Sequence, residues 1–301
     1  MATITIALPV RTRRTARRLA PYGFVAPAFV VHALIVGIPS VITLILSFYA
    51  WSGLDQPSFA GLSNYQQLIG DGIFRQALAH VLEWTAFFLV VPPLMGLGSA
   101  LLLRKVGRGQ GLYRTLYYLP VTMASVVVGR LFQWIYDPFS GVIGMLHNAG
   151  LGWLASVGLA NPKLALWMVA FANNWAWWGF MTVLFLTGLG QIDSSLLESA
   201  TIDGASAVKR FWYVIFPLLR PTVVFVVLLT TLWSFNTFDY PFLMTGGGPG
   251  HATEMLSTWM WFNLVNMSNP AYASTIAAGT TIVLLVVIAG YVYVRYRGWE
   301  V

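Results

Sequence analysis

The sequence is dominated by long apolar stretches in which charged residues are almost absent. Charged residues make up 9% of the 301-residue chain, whereas soluble globular proteins carry about 25%. So few charges cannot cover a soluble surface, and a helix that spans a bilayer needs about 20 apolar residues. The sequence therefore predicts an all-α integral membrane protein with six transmembrane helices. The predicted spans are Phe24–Tyr49, Ala77–Leu103, Tyr113–Ile135, Leu164–Leu189, Thr222–Met244 and Tyr272–Val294.

The distribution of positive charge predicts the orientation of these spans. Fourteen of the 17 Lys and Arg residues lie in segments on one side of the membrane: 1–20, 104–114, 191–221 and 295–301. Loops on the other side hold two, Arg75 and Lys163, and Arg130 lies within the third span. Because Lys and Arg accumulate on the cytoplasmic side, we expect both termini to be cytoplasmic. Residues 1–20 form a basic tail ahead of a six-span domain at 21–301.

The basic tail has two alternative interpretations, a signal peptide and a nucleic-acid-binding arm. The apolar segment that follows is too long for the core of a signal peptide, and no small-residue cleavage site follows it. Anchoring on the cytoplasmic side already explains the charge. We therefore predict no nucleic-acid partner.

The chain lacks the residues that most cofactor chemistry requires. It has no cysteine, which excludes disulfides and thiolate ligands, and its four histidines are scattered without metal-ligand spacing. The glycine-rich run 107–111 follows no predicted strand and lacks the Lys-Ser/Thr of a phosphate-binding loop. We expect neither metal nor nucleotide to be bound by this chain.

One polar stretch, residues 191–221, interrupts the apolar pattern between spans four and five. It holds three of the ten acidic residues and three of the 17 basic ones. Ser195 and Glu198 have the spacing of a capping box, with Ser194 as the alternative cap, and a short helix is predicted over 198–203. Gly204 favours the left-handed conformation that ends a helix.

A second short helix is predicted from Ala205 to Phe216, with Phe211 and Ile215 one turn apart as an apolar anchor. Pro217 and Pro221 are expected to end this helix and to turn the chain into span five. Two short helices at an angle form a docking surface for a cytoplasmic partner. The alternative is an amphipathic helix that lies on the membrane surface.

The order of residues in this stretch resembles the EAA loop of ABC-importer permeases. The similar residues run Glu198-Ser-Ala-Thr-Ile-Asp-Gly-Ala205 and continue with Phe211, Ile215, Pro217 and Pro221. Ser199 departs from the second alanine of the family pattern but remains small. Tyr113–Pro120 and Thr245–Pro249 are also similar to the carbohydrate-uptake branch. The resemblance covers nearly the whole chain and is closest to the first permease of maltose- and glycerol-3-phosphate-type systems.

The resemblance implies a non-catalytic subunit whose loop carries a coupling helix that docks into a cytoplasmic ATPase. A second homologous permease, two ATPase subunits that bind ATP and Mg, and an extracytoplasmic solute-binding protein would complete a sugar importer. Such importers lie in the cytoplasmic (inner) membrane of bacteria and archaea. The residues implied in ATPase coupling are Glu198, Ser199, Ala200, Asp203, Gly204, Ala205 and Phe211.

Polar side chains within the spans predict the substrate path, because hydrocarbon cannot satisfy them. Amides, hydroxyls and flat aromatic rings suit the hydroxyl groups and C–H faces of a sugar, and related permeases contact sugar from spans four and five. The alternative is packing, in which polar groups bond across helices; for Asp239, as for Arg130, it is a structural or gating role. The predicted substrate-binding residues are Ser125, Asn173, Trp177, Phe180, Thr230, Trp233, Ser234, Asn236, Thr237 and Asp239.

Other classes of membrane protein fit the sequence less well. An ion-coupled secondary transporter is expected to carry ionisable residues at mid-span and inverted repeats, and these spans are nearly free of charge. A membrane enzyme needs a convergent set of acids or histidines, which the sequence lacks. Within the importer family, a glycerol phosphodiester or a polyol is the alternative substrate to a sugar.

Overall fold

The chain folds almost entirely into helices. The structure is a computed structural model that describes residues 11–107, 109–152 and 157–294, and within these ranges the side chains of residues 22–293. The arginines of the basic tail, Arg108, Arg295 and Arg297 fall outside the described side chains. So do Trp153 and Leu154, which the sequence predicts to lie along the membrane surface.

The described residues form fourteen α-helices. In chain order they are α1 (Arg11–His32), α2 (Ile38–Leu46), α3 (Ser63–Gly70), α4 (Gly72–Leu103), α5 (Gln110–Tyr118), α6 (Ser125–Ile135), α7 (Val142–Asn148), α8 (Ala165–Gly190), α9 (Ser194–Ile202), α10 (Ala207–Arg210), α11 (Phe216–Phe235), α12 (Asp239–Thr245), α13 (Leu256–Trp261) and α14 (Pro270–Val294). Two short strands, β1 (Tyr49–Ala50) and β2 (Ser58–Phe59), pair antiparallel in the loop after α2.

Four continuous helical segments are long and apolar enough to cross a membrane: Tyr22–Leu46, Gly72–Leu103, Ala207–Phe235 and Pro270–Tyr293. Two bent pairs, α5–α6 and α8–α9, bring the number of possible crossings to six. The described chain is therefore a multi-pass membrane protein with four to six candidate spans.

Two spans contain a π-helical turn just ahead of a proline. Ala33–Gly37 joins α1 to α2 before Pro39, and Phe211–Ile215 joins α10 to α11 before Pro217. A proline cannot donate the backbone hydrogen bond of an ordinary helical turn, and the wider turn relieves that mismatch. The prediction that Pro217 and Pro221 end a helix was therefore wrong, since the helix continues to Phe235.

The third and fifth apolar segments differ from the predicted rods. The third is broken after a 3₁₀ turn at Leu119–Thr122, which contains Pro120, and its two halves meet at 92°. The fifth ends at Phe235 instead of Met244, and residues 236–238 separate it from α12. The first break lies at Pro120, which lacks the backbone N–H of a regular helix. The second lies at Asn236 and Thr237, whose side chains bond to backbone carbonyls and compete with the helix.

Helices α4 and α8 form the centre of the packed core. Gly96 of α4 lies so close to α8 that an added Cβ would stand 2.6 Å from the Cβ of Met181. Gly179 of α8 likewise lies against the backbone of Tyr117 in α5. Small residues at such crossings let helix backbones approach closely, and they hold α5 and α8 beside the cavity described next.

Candidate functional site

The predicted substrate residues converge on one cavity. It measures about 420 Å³ and lies between α4, the break before α6, α8 and the end of α11. This volume is within the usual range of about 300–1,000 Å³ for small-molecule sites. Nine of the ten predicted residues line it: Ser125, Asn173, Trp177, Thr230, Trp233, Ser234, Asn236, Thr237 and Asp239.

Helix α8 contributes an amide and an indole one turn apart. Asn173 and Trp177 both line the cavity. No described residue hydrogen-bonds the Asn173 side chain, so its amide remains available to a ligand. The neighbouring Asn174 points elsewhere, because it is buried and its Nδ2 lies 3.4 Å from the Sδ of Met95. One face of α8 is thus directed to the cavity and the next to the core.

An aromatic cluster joins α8 to α11. The ring centroids of Trp177 and Trp233 are 3.9 Å apart in an edge-to-face arrangement at 67°. Phe180 packs on both rings, at 5.0 Å from Trp177 and 5.7 Å from Trp233. Phe180 does not line the main cavity and instead lines a neighbouring one of about 380 Å³. It therefore supports the two indoles from behind.

The end of α11 presents hydroxyl groups to the cavity. Thr230 is 1% exposed, and its Oγ1 has no hydrogen-bond partner among the described residues. Asn236 and Thr237 are partly satisfied, since they donate to the carbonyls of Leu232 and Trp233. Because a buried hydroxyl without a partner is costly, Thr230 is a candidate for a hydrogen bond to a ligand in the cavity.

One carboxylate closes the end of the cavity. The hydroxyl of Ser125, at the start of α6, donates to Oδ2 of Asp239, at the start of α12, over 3.0 Å. Arg130 lies outside the lining and donates instead to the side-chain oxygen of Gln133. Asp239 is therefore the one charged residue among those that line the cavity. Asp239 lines the cavity and Arg130 does not; the substrate contact predicted for Asp239 and the alternative structural or gating role of both residues stay predictions.

Some lining residues were not predicted as site residues. They are Trp84, Phe88, Val121, Met123, Ala176 and Tyr240. Trp84 and Phe88 stack at 5.0 Å and form a wall from α4. Their spacing of four residues places both rings on one face of the helix. In an apolar helix this spacing equally indicates residues packed in the core, so it did not predict a cavity wall.

The described residues contain no group of three or more His, Asp or Glu side chains arranged to hold a metal ion. The cavity combines three indoles, two amides, hydroxyls and one carboxylate. Such a lining can hydrogen-bond a polyhydroxylated molecule and stack on its C–H faces.

The loop after α8 forms the first predicted helix as α9, with a different cap, whereas the predicted second helix is the start of the continuous segment Ala207–Phe235. Helix α9 leaves α8 at 73°, and its N-cap is Asp193, whose carboxylate accepts the backbone N–H of Ser195 at 2.9 Å. This hydrogen bond lowers the pKa of Asp193 below its usual value. The predicted capping box at Ser195 and Glu198, and the alternative cap Ser194, were therefore wrong, because the helix begins at Ser194 and Asp193 directly precedes it.

The predicted coupling residues form one exposed ridge. Gly204 adopts the left-handed conformation (φ 76°) that ends α9, and Arg210 donates to the hydroxyl of Thr201, which fixes α10 against α9. Glu198, Ser199, Asp203 and Gly204 are exposed, whereas Ala200, Ala205 and Phe211 are half-buried. The exposed side of α9 is thus free for a partner.

Comparisons with known proteins agree with this architecture. The family described as "Binding-protein-dependent transport system inner membrane component" matches residues 93–297. The chain is 32% identical to an sn-glycerol-3-phosphate transport system permease protein of Agrobacterium fabrum, over 90% of this chain and 92% of the relative. It is 27% identical to a probable starch degradation products transport system permease protein of Thermoanaerobacterium thermosulfurigenes, over 88% and 89%.

A solved structure shares the fold at low sequence identity. It is a bacterial alginate ABC transporter in complex with an alginate pentasaccharide-bound periplasmic protein. The TM-score is 0.83 at 20% identity, and the alignment covers 95% of this chain and 98% of the other. The broken third segment and the angled α8–α9 pair therefore occur within a known permease fold.

Proposed function

The chain belongs to the family of binding-protein-dependent transport system inner membrane components, and from this premise we propose which substrate it carries and how it is driven. As a permease subunit of an ABC transporter it is non-catalytic, and ATP hydrolysis belongs to partner ATPases. The proposed substrate is a sugar or oligosaccharide, delivered by a binding protein. A second homologous permease would complete the pathway.

The lining of the 420 Å³ cavity is the observation that carries the sugar assignment. The indoles of Trp177 and Trp233 provide apolar faces for stacking, and Asn173 and Thr230 provide hydrogen-bonding groups that no described residue uses. Neutral sugars need both kinds of contact. The relative that transports starch degradation products supports the same substrate class.

The alternative substrate is a glycerol phosphodiester or a polyol, and the glycerol-3-phosphate permease relative supports it. A phosphate would be recognised by a guanidinium or ammonium group. The residues that line the cavity include Asp239 and no cation, so the charge of this lining opposes a phosphorylated substrate. A neutral polyol remains compatible with it.

The remaining parts of the proposal concern assembly. The exposed ridge of α9, with Glu198, Ser199 and Gly204, would dock on one of two cytoplasmic ATPases that bind ATP and Mg. Residues 21–301 would form a six-span domain behind the basic tail 1–20, with both termini in the cytoplasm. The protein would lie in the cytoplasmic (inner) membrane of a bacterium or archaeon. The family, the helical segments and the charge distribution support these statements.

The test is transport by the reconstituted complex with a panel of loaded binding proteins. We expect ATPase stimulation and uptake with a neutral sugar. Asn173→Ala should reduce uptake of that sugar about threefold to tenfold, the equivalent of one hydrogen bond of about 0.5–1.5 kcal/mol. Thr187→Ala is the matched control, because it removes an exposed hydroxyl from the same helix away from the cavity.

Two outcomes would contradict the proposal. Stimulation by glycerol phosphates alone would refute the sugar assignment. Equal uptake by the wild type, Asn173→Ala and Thr187→Ala proteins would refute the assignment of the cavity while leaving the permease function intact.

A further inference from the structure

A second cavity lies at the other end of the molecule, where α4 ends and the α9–α11 segment begins. It measures about 470 Å³. We call it the basic cavity, because three cations, Arg104, Lys105 and Arg210, line it together with apolar side chains, and no lining residue is acidic. The apolar part of the lining consists of Leu101, Leu197, Ala207, Val208, Phe211, Trp212 and Ile215.

One of the three cations lacks a partner for a buried nitrogen. Nη1 of Arg104 is buried and has no hydrogen-bond partner among the described residues. Among the described residues, no carboxylate lies within 4.0 Å of Arg104, Lys105 or Arg210. The ion pair that these residues do contain, His251–Glu254, lies elsewhere. The Arg104 side chain is half-buried, and a buried guanidinium nitrogen without a partner is costly, so this position favours an anion.

The position of the cavity along the helices matches the edge of a bilayer. Arg104 caps the C-terminal end of the 32-residue helix α4, and the cavity's other walls come from the start of the Ala207–Phe235 span. Trp212, in the cavity wall, and Tyr213, the next residue along the chain, have exposed fractions of 56% and 79%. Exposed Trp and Tyr at the ends of spans are typical of the level of lipid headgroups.

We propose that the basic cavity binds the phosphate of an anionic phospholipid, with the start of an acyl chain against the apolar wall. Arginine binds phosphate through two parallel hydrogen bonds, and basic pockets between spans on the cytoplasmic side bind anionic headgroups. The proposal uses the orientation proposed above. A bound lipid would contact Leu197 of α9 and Leu101 of α4 together, and so connect the ridge that faces the ATPase to the second span.

Native mass spectrometry of the intact transporter complex tests this site without depending on transport. The complex is titrated with phosphatidylglycerol and, separately, with phosphatidylcholine. We expect phosphatidylglycerol to bind more tightly, and Arg104→Gln to weaken it by about tenfold. The affinity of Arg104→Lys for phosphatidylglycerol should fall between those of the wild type and Arg104→Gln. Arg114→Gln is the matched control, because Arg114 is an exposed cation in the neighbouring segment that does not line the basic cavity.

Further arms separate the source of the anion and the effect of folding. Lys105→Gln alters an exposed side chain of the cavity. It should weaken phosphatidylglycerol binding severalfold, and it provides this test even if the Arg104→Gln complex fails to assemble. Displacement of the lipid by millimolar inorganic phosphate would assign the site to a free anion and overturn the lipid proposal. Equal lipid binding by the wild type, Lys105→Gln and Arg114→Gln complexes would overturn it as well.

Discussion

At the scale of single residues, Asp71 accepts four hydrogen bonds that its position in a polar loop did not predict. Its Oδ1 accepts the backbone N–H groups of Ile73 and Phe74 and so caps α4. Its Oδ2 accepts the indole N–H of Trp259 at 2.9 Å and the hydroxyl of Tyr272 at 2.7 Å. One carboxylate therefore joins the start of α4 to α13 and α14.

Asp71→Asn should lower the stability of the protein. The substitution turns one acceptor oxygen into an N–H₂ donor, which faces either the two backbone amides or the donors from Trp259 and Tyr272. We expect a loss of about 1–3 kcal/mol, measured as a lower midpoint of thermal unfolding in detergent. Asp55→Asn is the control, since Asp55 is an exposed acid bonded to Ser52, and an equal fall in both variants would contradict the role of Asp71.

The same carboxylate predicts a dependence on pH. Desolvation raises the pKa of Asp71, but hydrogen bonds from Tyr272, Trp259 and two backbone amides outweigh it, so the pKa lies below 3.8. A lowered folded-state pKa means that the stabilisation is complete above the unfolded value of about 3.9 and is lost as the pH falls further. Thermal unfolding between pH 6 and pH 3 should show a smaller fall for Asp71→Asn than for the wild type.

The sequence predicted residues of the cavity wall best where a polar side chain interrupts an apolar helix. Asn173, Thr230 and Ser234 were found in this way, because hydrocarbon would leave them unsatisfied. Trp84 and Phe88 carry no such signal, since an aromatic pair on an apolar helix reads as core. Tyr240 is similar, because only the break after α11 brings it to the cavity wall.

At the scale of elements, the crossing of α4 and α8 depends on the absence of one side chain. An added Cβ at Gly96 would lie 2.6 Å from the Cβ of Met181 and 2.8 Å from its backbone carbon, whereas one at Gly98 would meet nothing within 4 Å. Backbone atoms cannot move aside as a flexible side chain does. The helix pair must therefore separate to accommodate any larger residue at position 96.

Gly96→Ala and Gly98→Ala should consequently have opposite effects. Alanine favours a helix over glycine by up to about 1 kcal/mol, so Gly98→Ala should leave the unfolding midpoint unchanged or raise it. Gly96→Ala should lower the midpoint through overpacking that costs about 1–3 kcal/mol. Thermal unfolding of the two purified variants makes the comparison, and similar midpoints would show that the two helices separate without cost.

The element boundaries show where sequence rules fail within a membrane protein. Proline predicted helix ends at Pro217 and Pro221, yet the π-helical turn Phe211–Ile215 carries the helix through. Asp193 caps α9 in place of either serine, because the helix begins at Ser194 and Asp193 directly precedes it. Pro120 indicates a break between α5 and α6, but its angle of 92° depends on packing against α8, which the sequence does not show. An apolar segment alone therefore predicts a membrane crossing and not the shape of that crossing.

At the scale of the whole molecule, the two cavities lie at different levels of the same helices. Helix α4 supplies Trp84 and Phe88 to the proposed substrate cavity and Leu101 and Arg104 to the basic cavity. Segment 207–235 likewise begins in the basic cavity and ends in the substrate cavity. A displacement of α9 by a partner would therefore reach the substrate cavity along two continuous helices.

The orientation of the whole chain is the premise of that scheme, and the absence of cysteine makes it directly testable. Single cysteines are introduced as Ser199→Cys on α9 and Gln56→Cys in the loop after α2, both at exposed positions. The fourteen-to-two bias of Lys and Arg places position 199 inside and position 56 outside. A membrane-impermeant maleimide on intact cells should thus label Gln56→Cys at once, and Ser199→Cys only after the cells are opened and the ATPase subunits are stripped from the membrane. Labelling of Ser199→Cys in intact cells would invert the topology, and α9 would then face away from any cytoplasmic ATPase.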